Sequence, residues 1–325
     1  MTATAATAAT APPAPTRVAV VGGGQNCEHE VSLASAVAVA DALDPASYDV
    51  VRLTIGPDGA WRVGDRALPL GEAVAVLQSC AAVLPVVHGP RGEDGTLAAL
   101  CELAGVAYVG SGVAAGALAM DKWATKLVAQ ALGIATAPAV LLTAAGAATY
   151  AWTHPVVVKP VAAGSSHGVS MVREAAQLPD ALEAALALDD RVLVEDVVIG
   201  REVDVAVLGT ADGGRLVPPA LEVVVDGWFD HEAKYGGGAD FRIPAPLEDV
   251  ERKALEEAAL AVYDALGCAG VARVDFFVTP DGPVLNEVNT MPGFTAQSQV
   301  PKMFAAAGLS YAELLDRLVR DVLPR

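Results

Sequence analysis

The chain has 325 residues, room for two or three domains, and with 53% hydrophobic and only 18% charged residues it can bury a large core. A total of 39 Asp and Glu against 21 Lys and Arg gives a net charge of −18, which argues against a nucleic-acid or anionic-membrane surface, since either needs a basic footprint. No apolar run reaches the ~18 residues of a membrane span, and 4 scattered cysteines without a CxxC pair point to reduced thiols in a cytoplasm.

In chain order, residues 1–15 are rich in Ala, Thr and Pro and read as a flexible tail; they lack the basic and long apolar stretches of a signal peptide. Residues 17–21 predict a buried strand, 22–24 a glycine loop and 32–43 a helix with apolar residues at helical spacing. Strands at 48–54 and 82–87, a helix at 96–104 and a short strand at 108–109 complete an alternation that predicts a parallel α/β domain over 16–120. A central unit, 121–198, opens with a helix to about residue 132. It continues with strands at 156–160, 169–172 and 192–195 and a helix at 178–187. A C-terminal mixed unit, 199–325, holds strands at 202–208 and 220–225, a Gly-rich loop at 235–239, a long helix at 248–266, a hairpin and a terminal helix at 311–322. No repeat with a period of 20–50 residues is present.

The hairpin carries the strongest signal. Two apolar runs flank an Asp281-Gly282 turn, and Arg273, Asp275, Glu287 and Asn289 sit on them at alternating positions. Residues two apart share a face of a strand, so Arg273 pairs with Asp275 and Glu287 with Asn289, and the hairpin can bring both pairs together over a solvent-filled cleft. Hard oxygen donors of this kind suit Mg²⁺ shared with phosphate. Acidic residues rarely enter an apolar strand without such a task.

Other polar clusters lie where strands end. Gly22-Gly23-Gly24 begins like a dinucleotide loop, but Cys27 stands where GxGxxG requires glycine, and the Rossmann reading fails. Cys27 itself reads as a small packing residue. Glu28 opens the next helix, and His88 lies in a second loop, His88-Gly-Pro-Arg-Gly-Glu-Asp-Gly-Thr96. Lys122 follows Met120-Asp121. Lys159 ends a buried strand just before Gly164-Ser165-Ser166-His167-Gly168, a loop able to wrap phosphates with backbone N–H groups. No Walker motif is present. Glu195 and Glu202 add carboxylates that could hold an adenine amine and ribose hydroxyls.

Taken together, these motifs resemble those of the D-alanine–D-alanine ligases of the ATP-grasp superfamily. Glu28-His-Glu-Val-Ser32, the His88 loop, Val109-Gly-Ser-Gly112 with Met120-Asp-Lys122, Lys159-Pro followed by Gly164-Ser-Ser, Glu232-Ala-Lys234-Tyr235, and Arg273-Val-Asp275 with Asn286-Glu-Val-Asn-Thr-Met-Pro-Gly293 occur in the family's order over about residues 17–323. The resemblance implies an ATP-grasp fold, α/β overall, and a cytoplasmic ligase, usually a homodimer, that phosphorylates one D-alanine and lets the amine of a second displace phosphate, for peptidoglycan precursors. It implies that Lys122, Lys159, Gly164, Ser165, Ser166, Glu195, Glu202, Lys234, Asn286 and Glu287 hold ATP. Asp275, Glu287 and Asn289 would carry two Mg²⁺ or Mn²⁺, with K⁺ a further cation of such enzymes. Glu28 and His88 would hold the first D-alanine, and Arg273 with the Gly293 N–H the oxyanion. Ser298, beside Gln299, would take the second carboxylate. Lys234 and Tyr235 would lie on a closing loop, with Tyr235 touching Glu28 and Ser165.

His231 and Gln299 stand where the resemblance implies tyrosine and a large apolar residue, and Gly236-Gly-Gly238 loosens the closing loop. Gln299 leaves the second substrate open among D-alanine, D-serine and a hydroxy acid. A related ATP-dependent carboxylate–amine ligase, a silent ATP-binding module and a nicotinamide dehydrogenase are the competing classes. Intact Arg273, Asp275, Glu287 and Asn289 disfavour the second, and the broken glycine fingerprint disfavours the third.

Overall fold

The computed structural model describes residues 14–224 and 240–323. Three sheets organise them. In the first, strand Thr16–Gly23 lies between the parallel strands Tyr48–Ile55 and Ala82–Pro85, while Trp61–Val63 and Arg66–Leu68 extend one edge antiparallel. The continuous valine run explains the central position, because Val18, Val20 and Val21 are buried on both faces. Helix His29–Ala42 packs closely on this strand. At Gly22 a Cβ would come within 2.3 Å of Ala36 Cβ, so only glycine allows the approach.

The second sheet is antiparallel, in the order Ala139–Thr143, Arg191–Asp196, Val156–Pro160, Ser170–Val172, and helix Leu178–Leu186 packs against it. The third is the largest. Asp240–Arg242, Leu221–Val224, Arg201–Gly209, Val271–Thr279, Gly282–Asn289 and Ala135–Thr136 follow in order, with Arg215–Leu216 beside Arg201–Gly209. Helix Lys122–Ala131, capped by Asp121 Oδ1 accepting from Ala124 N at 2.9 Å, packs with strand Ala135–Thr136 against this third sheet and helix Asp249–Leu266. The four-stranded sheet begins only at Ala139, so the chain crosses the third sheet before the central unit starts.

One core joins the first and third regions. Val18, Val20, Val39 and Leu84 pack in the same cluster as Phe294, Met303, Phe304, Leu314 and Leu318. This shared core sets the loops at the strand ends of the first sheet against residues 291–298. Short elements with weak periodicity are absent from the sequence reading: helices Leu70–Gln78, Val113–Met120 and Gln299–Ala306, and strands Trp61–Val63, Arg66–Leu68, Ala139–Thr143 and Asp240–Arg242.

Candidate active site

The hairpin register sets Arg273 opposite Asn289 and Asp275 opposite Glu287, then slips between Asp275 and Phe276. The extra residue is Asn286. A bulge of this kind re-aims side chains, and here consecutive residues Asn286 and Glu287 both line one cavity, while Glu287 and Asn289 line another. Arg273 holds Asp275 with two bonds, Nε to Oδ1 at 2.7 Å and Nη2 to Oδ2 at 2.8 Å, and Asn289 Nδ2 donates to Asp275 Oδ2 at 3.0 Å. Asp275 is only 3% exposed. The expected solvent-filled cleft is therefore wrong for Asp275, which sits in a buried ion pair. Burial opposes the Arg273 charge, but Asp275 and Asp204 outweigh it and keep the guanidinium protonated. Gln299 joins the group: its Oε1 accepts from Arg273 Nη1 at 2.6 Å and its Nε2 donates to Asp204 Oδ2 at 2.7 Å.

The first-domain loops meet this cluster. Asn26 Nδ2 donates to the carbonyls of His88 and Pro90, each at 2.8 Å, and Asn26 Oδ1 accepts from Glu28 N at 2.8 Å, which fixes one loop against the other. Glu28 is buried, and Ser165 Oγ donates to its Oε1 at 2.5 Å. Glu28 Oε2 has no hydrogen-bond partner among the described residues. A Cβ at Gly164 would lie 2.2 Å from that oxygen, so glycine is required for the loop to reach Glu28. Ser165 and Ser166 both have positive φ, 51° and 56°, the strained backbone that turns successive N–H groups into an anion nest.

His88 is a clamp as much as a lining residue. Its Nδ1 lies 2.7 Å from the Met291 carbonyl, which can only accept, so Nδ1 carries the proton and Nε2 accepts from Ser35 Oγ at 2.9 Å. Burial holds its pKa down, in keeping with a neutral ring. Ser35 Oγ accepts in turn from Phe294 N at 3.1 Å. Glu93 spans the same gap, accepting from Gly89 N at 2.9 Å and Met291 N at 2.8 Å; burial and the nearby Glu28 charge push its pKa up to about 8. These contacts fix the 291–298 loop, where Gly293 and Ser298 face the cavity and Ser298 Oγ accepts from Thr295 N at 3.0 Å.

On the other side of Glu287, Lys122, Lys159, Ser166, Glu195, Glu202 and Asn286 line a cavity of about 490 Å³. Lys122 Nζ donates to Ala163 O at 2.7 Å and lies 3.3 Å from Glu287 Oε2, tying the glycine-serine loop to the hairpin. Lys159 Nζ lies 2.8 Å from Glu195 Oε2 and donates to Asn286 Oδ1 at 3.3 Å. Burial alone would raise the Glu195 pKa, but Lys159 and Lys126 together hold it below the usual range. Glu195 is therefore engaged by two lysines instead of waiting unpaired for an amine. The cavity of about 700 Å³ on the near side is lined by Glu28, His88, Ser165, Arg273, Glu287, Asn289, Gly293, Ser298 and Gln299.

The structure thus gathers most of the sequence-predicted residues around two adjoining cavities, whereas Asp275 and Gly164 line neither. His231, Glu232, Lys234, Tyr235 and Gly236–Gly238 lie outside the described residues, so only the Ser165–Glu28 half of the expected triad is seen. Sequence reasoning missed Asp204, Lys126, Ser35 and Asn26, and gave Glu93 no role. Asp204 carried the signal used for the hairpin, an acid inside an apolar strand. Lys126 lies four residues after Lys122 on one helix face and reaches Glu195 Oε1 at 2.9 Å.

Comparison with known proteins resolves the family. The profile described as D-ala D-ala ligase C-terminus matches residues 128–320, and that described as D-ala D-ala ligase N-terminus matches 17–78 and 71–111. The chain belongs to the D-alanine–D-alanine ligase family. A D-alanine--D-alanine ligase of Mycobacterium sp. (strain KMS) is 40% identical, over 95% of this chain and 97% of its own length. One of Corynebacterium aurimucosum is 41% identical, over 96% and 98%. Among solved structures, the VanG D-Ala:D-Ser ligase of Enterococcus faecalis superposes with a TM-score of 0.82 at 34% identity, covering 95% of this chain and 100% of that one. A D-alanine--D-alanine ligase of Bacillus anthracis complexed with ATP gives 0.78 at 26% identity, covering 94% and 97%. The fold is accordingly the ATP-grasp fold of this ligase family. Lys122 and Lys126 fall between the two profile matches. No helix among the described residues is long and apolar enough to cross a membrane.

Proposed function

We propose that the protein is an ATP-dependent ligase that joins two D-alanines into D-alanyl-D-alanine for peptidoglycan precursors, through a D-alanyl phosphate. The observation that carries this reading is Glu28 Oε2, a buried carboxylate oxygen without a partner among the described residues, held beside the glycine-serine loop in the wall of the larger cavity. An ammonium is the group such an oxygen lacks.

A free carboxylate is a poor electrophile, and phosphorylation gives it a leaving group, so the protein's task is positioning and electrostatics. Lys122 and Lys159 neutralise the phosphates, and the Ser165–Ser166 nest receives their oxygens. Glu202 holds the ribose, with Glu195 below the adenine. Glu28, with His88 behind it, holds the first D-alanine by its ammonium. The Gly293 N–H and Arg273 meet the oxyanion when the second amine attacks, and Ser298 takes the second carboxylate. Lys234 and Tyr235 close over the site and keep water from the acyl phosphate. Asp275, Glu287 and Asn289 offer only hard oxygen donors, and the cluster with Asp204 holds more acid than Arg273 neutralises, which fits Mg²⁺ or Mn²⁺. Such ions, when bound, would offset the charge that develops between the two phosphates. The reading includes a homodimer in the cytoplasm.

The acceptor is D-alanine ahead of D-serine and D-lactate. Similarity to a D-Ala:D-Ser ligase and a polar Gln299 in the cavity wall favour D-serine as the second reading, but both ends of the Gln299 amide already bond protein groups. Competition among equimolar D-alanine, D-serine and D-lactate with ATP and Mg²⁺, read by product mass, decides it. A dominant D-Ala–D-Ser product or an ester overturns the preference.

A further inference from the structure

Asp204 and Asp275 stand directly opposite each other across strands Arg201–Gly209 and Val271–Thr279, at 1% and 3% exposure. Like charges so placed destabilise a sheet unless they are answered. Arg273 answers Asp275 with two bonds but approaches Asp204 only to 3.6 Å. Gln299 fills the gap, donating to Asp204 Oδ2 and accepting from Arg273 Nη1. The amide cannot turn over, since reversal would set its NH₂ against the guanidinium and its oxygen against the carboxylate. Of the five N–H groups on a guanidinium, three serve Asp275 and Gln299. One on each terminal nitrogen is left without a bond among the described residues.

We propose that Gln299 is a positioning residue for Arg273, anchored on Asp204, and that this brace, not contact with the acceptor side chain, is the purpose of the amide in the cavity wall. The Asp275 fork holds one edge of the guanidinium. Gln299 adds a third point on Nη1 and so fixes the direction of the two remaining N–H groups. Turning the amide towards an acceptor hydroxyl would break its bonds to a buried carboxylate and a buried guanidinium together. This inference rests on the ligase reading for its kinetic consequence, though the brace itself can be observed without turnover.

The test uses the full chain and the variant Gln299→Met, which keeps bulk and removes both bonds. The Arg273 Nη–H signals in ¹H–¹⁵N spectra, assigned by their loss in Arg273→Lys, should be protected from exchange in the parent and lose the protection of the Nη1 proton bonded to Gln299 in Gln299→Met. With D-alanine as acceptor, kcat should fall about tenfold, while acceptor KM, ATP KM and the D-Ala to D-Ser product ratio each stay within about twofold. Gln299→Asn, which keeps an amide but shortens its reach, should show the same pattern and serves if the methionine variant does not fold. An unchanged Arg273 signal, or an intact kcat with a shifted product ratio, overturns the brace. A parent that forms no dipeptide overturns the ligase reading, and the Arg273 signal still judges the brace.

Discussion

The two sides of Glu287 differ in how their buried charges are met. Towards the smaller cavity, Lys122, Lys126 and Lys159, all buried, face Glu195 and Glu287. Towards the larger cavity, Glu28, Asp204 and Asp275, also buried, have Arg273 as the one Lys or Arg beside them among the described residues. A protein of net charge −18 thus places three buried lysines on one side of a hairpin and, on the other, buried acids that outnumber the arginine beside them. Burial lowers the local dielectric and strengthens both fields, so phosphate belongs on the first side and an ammonium on the second. Glu287 lines both cavities, and reaction between the two ligands must occur beside it.

Breaking that boundary should have the largest effect. Glu287→Gln removes the carboxylate shared by the two sides and unpairs Lys122, and turnover measured by phosphate release should fall at least ~10²-fold. Unaltered turnover would remove Glu287 from the site. Asp275→Asn is a less clean test than the hairpin pattern alone suggests. It also breaks a buried pair with Arg273, a loss of about 3–5 kcal/mol for such pairs, so lowered stability would accompany lowered activity. A smaller breach is Gly164→Ala. Its methyl would lie 2.2 Å from Glu28 Oε2 and must displace either the loop or the carboxylate. The KM for D-alanine at the first site should rise about tenfold, while nucleotide binding, read by calorimetry, changes little.

Much of this boundary was legible in the sequence. Alternation on an apolar hairpin gave Arg273, Asp275, Glu287 and Asn289 as neighbours, and the register bears that out, with the Asp281-Gly282 turn falling at the start of the second strand. The long helix and the terminal helix fall within a residue of their expected limits, Asp249–Leu266 and Tyr311–Val322, because their apolar stripes run for several turns. What the sequence could not give was depth. Asp275 and Asp204 face each other only because separate strands pair, and local spacing carries no information on that register. Likewise nothing near His88 announces that its partners are Ser35 and Met291, which are 53 and 203 residues away. Cys27, read as a packing residue from its place in the loop, is exposed.

The seam between the two regions should respond to pH through Glu93. Its folded pKa, about 8, is raised above the ordinary glutamate value by burial and by Glu28. The folded state therefore binds a proton that the unfolded chain releases near pH 4.5. The contribution to stability is present at low pH and is lost as pH rises towards 8. In Glu93→Gln the melting temperature should fall less steeply between pH 6 and 8.5 than in the parent, a difference of a few degrees for a chain of this size. Parallel curves for the two proteins would show that Glu93 does not titrate in this range.

The smallest effect is expected at Cys27, which lines the anionic cavity beside Glu28. A cysteine at a helix start could be read as an activated nucleophile, since a helix N-terminus favours thiolate. Here the environment acts the other way. Burial of part of the side chain and the Glu28 charge both push the thiol pKa up, so it stays protonated at neutral pH and is a poor nucleophile. Acyl-phosphate chemistry asks for no thiol, because the phosphate is already the leaving group. Cys27→Ser keeps the size and removes the sulfur, and should retain turnover within about twofold, with the thiol reagent iodoacetamide labelling the parent slowly at pH 7 and faster as pH rises. Loss of turnover in a folded Cys27→Ser protein would require a covalent step on the acidic side of Glu287, and the separation of phosphate and ammonium into two fields would no longer account for the site.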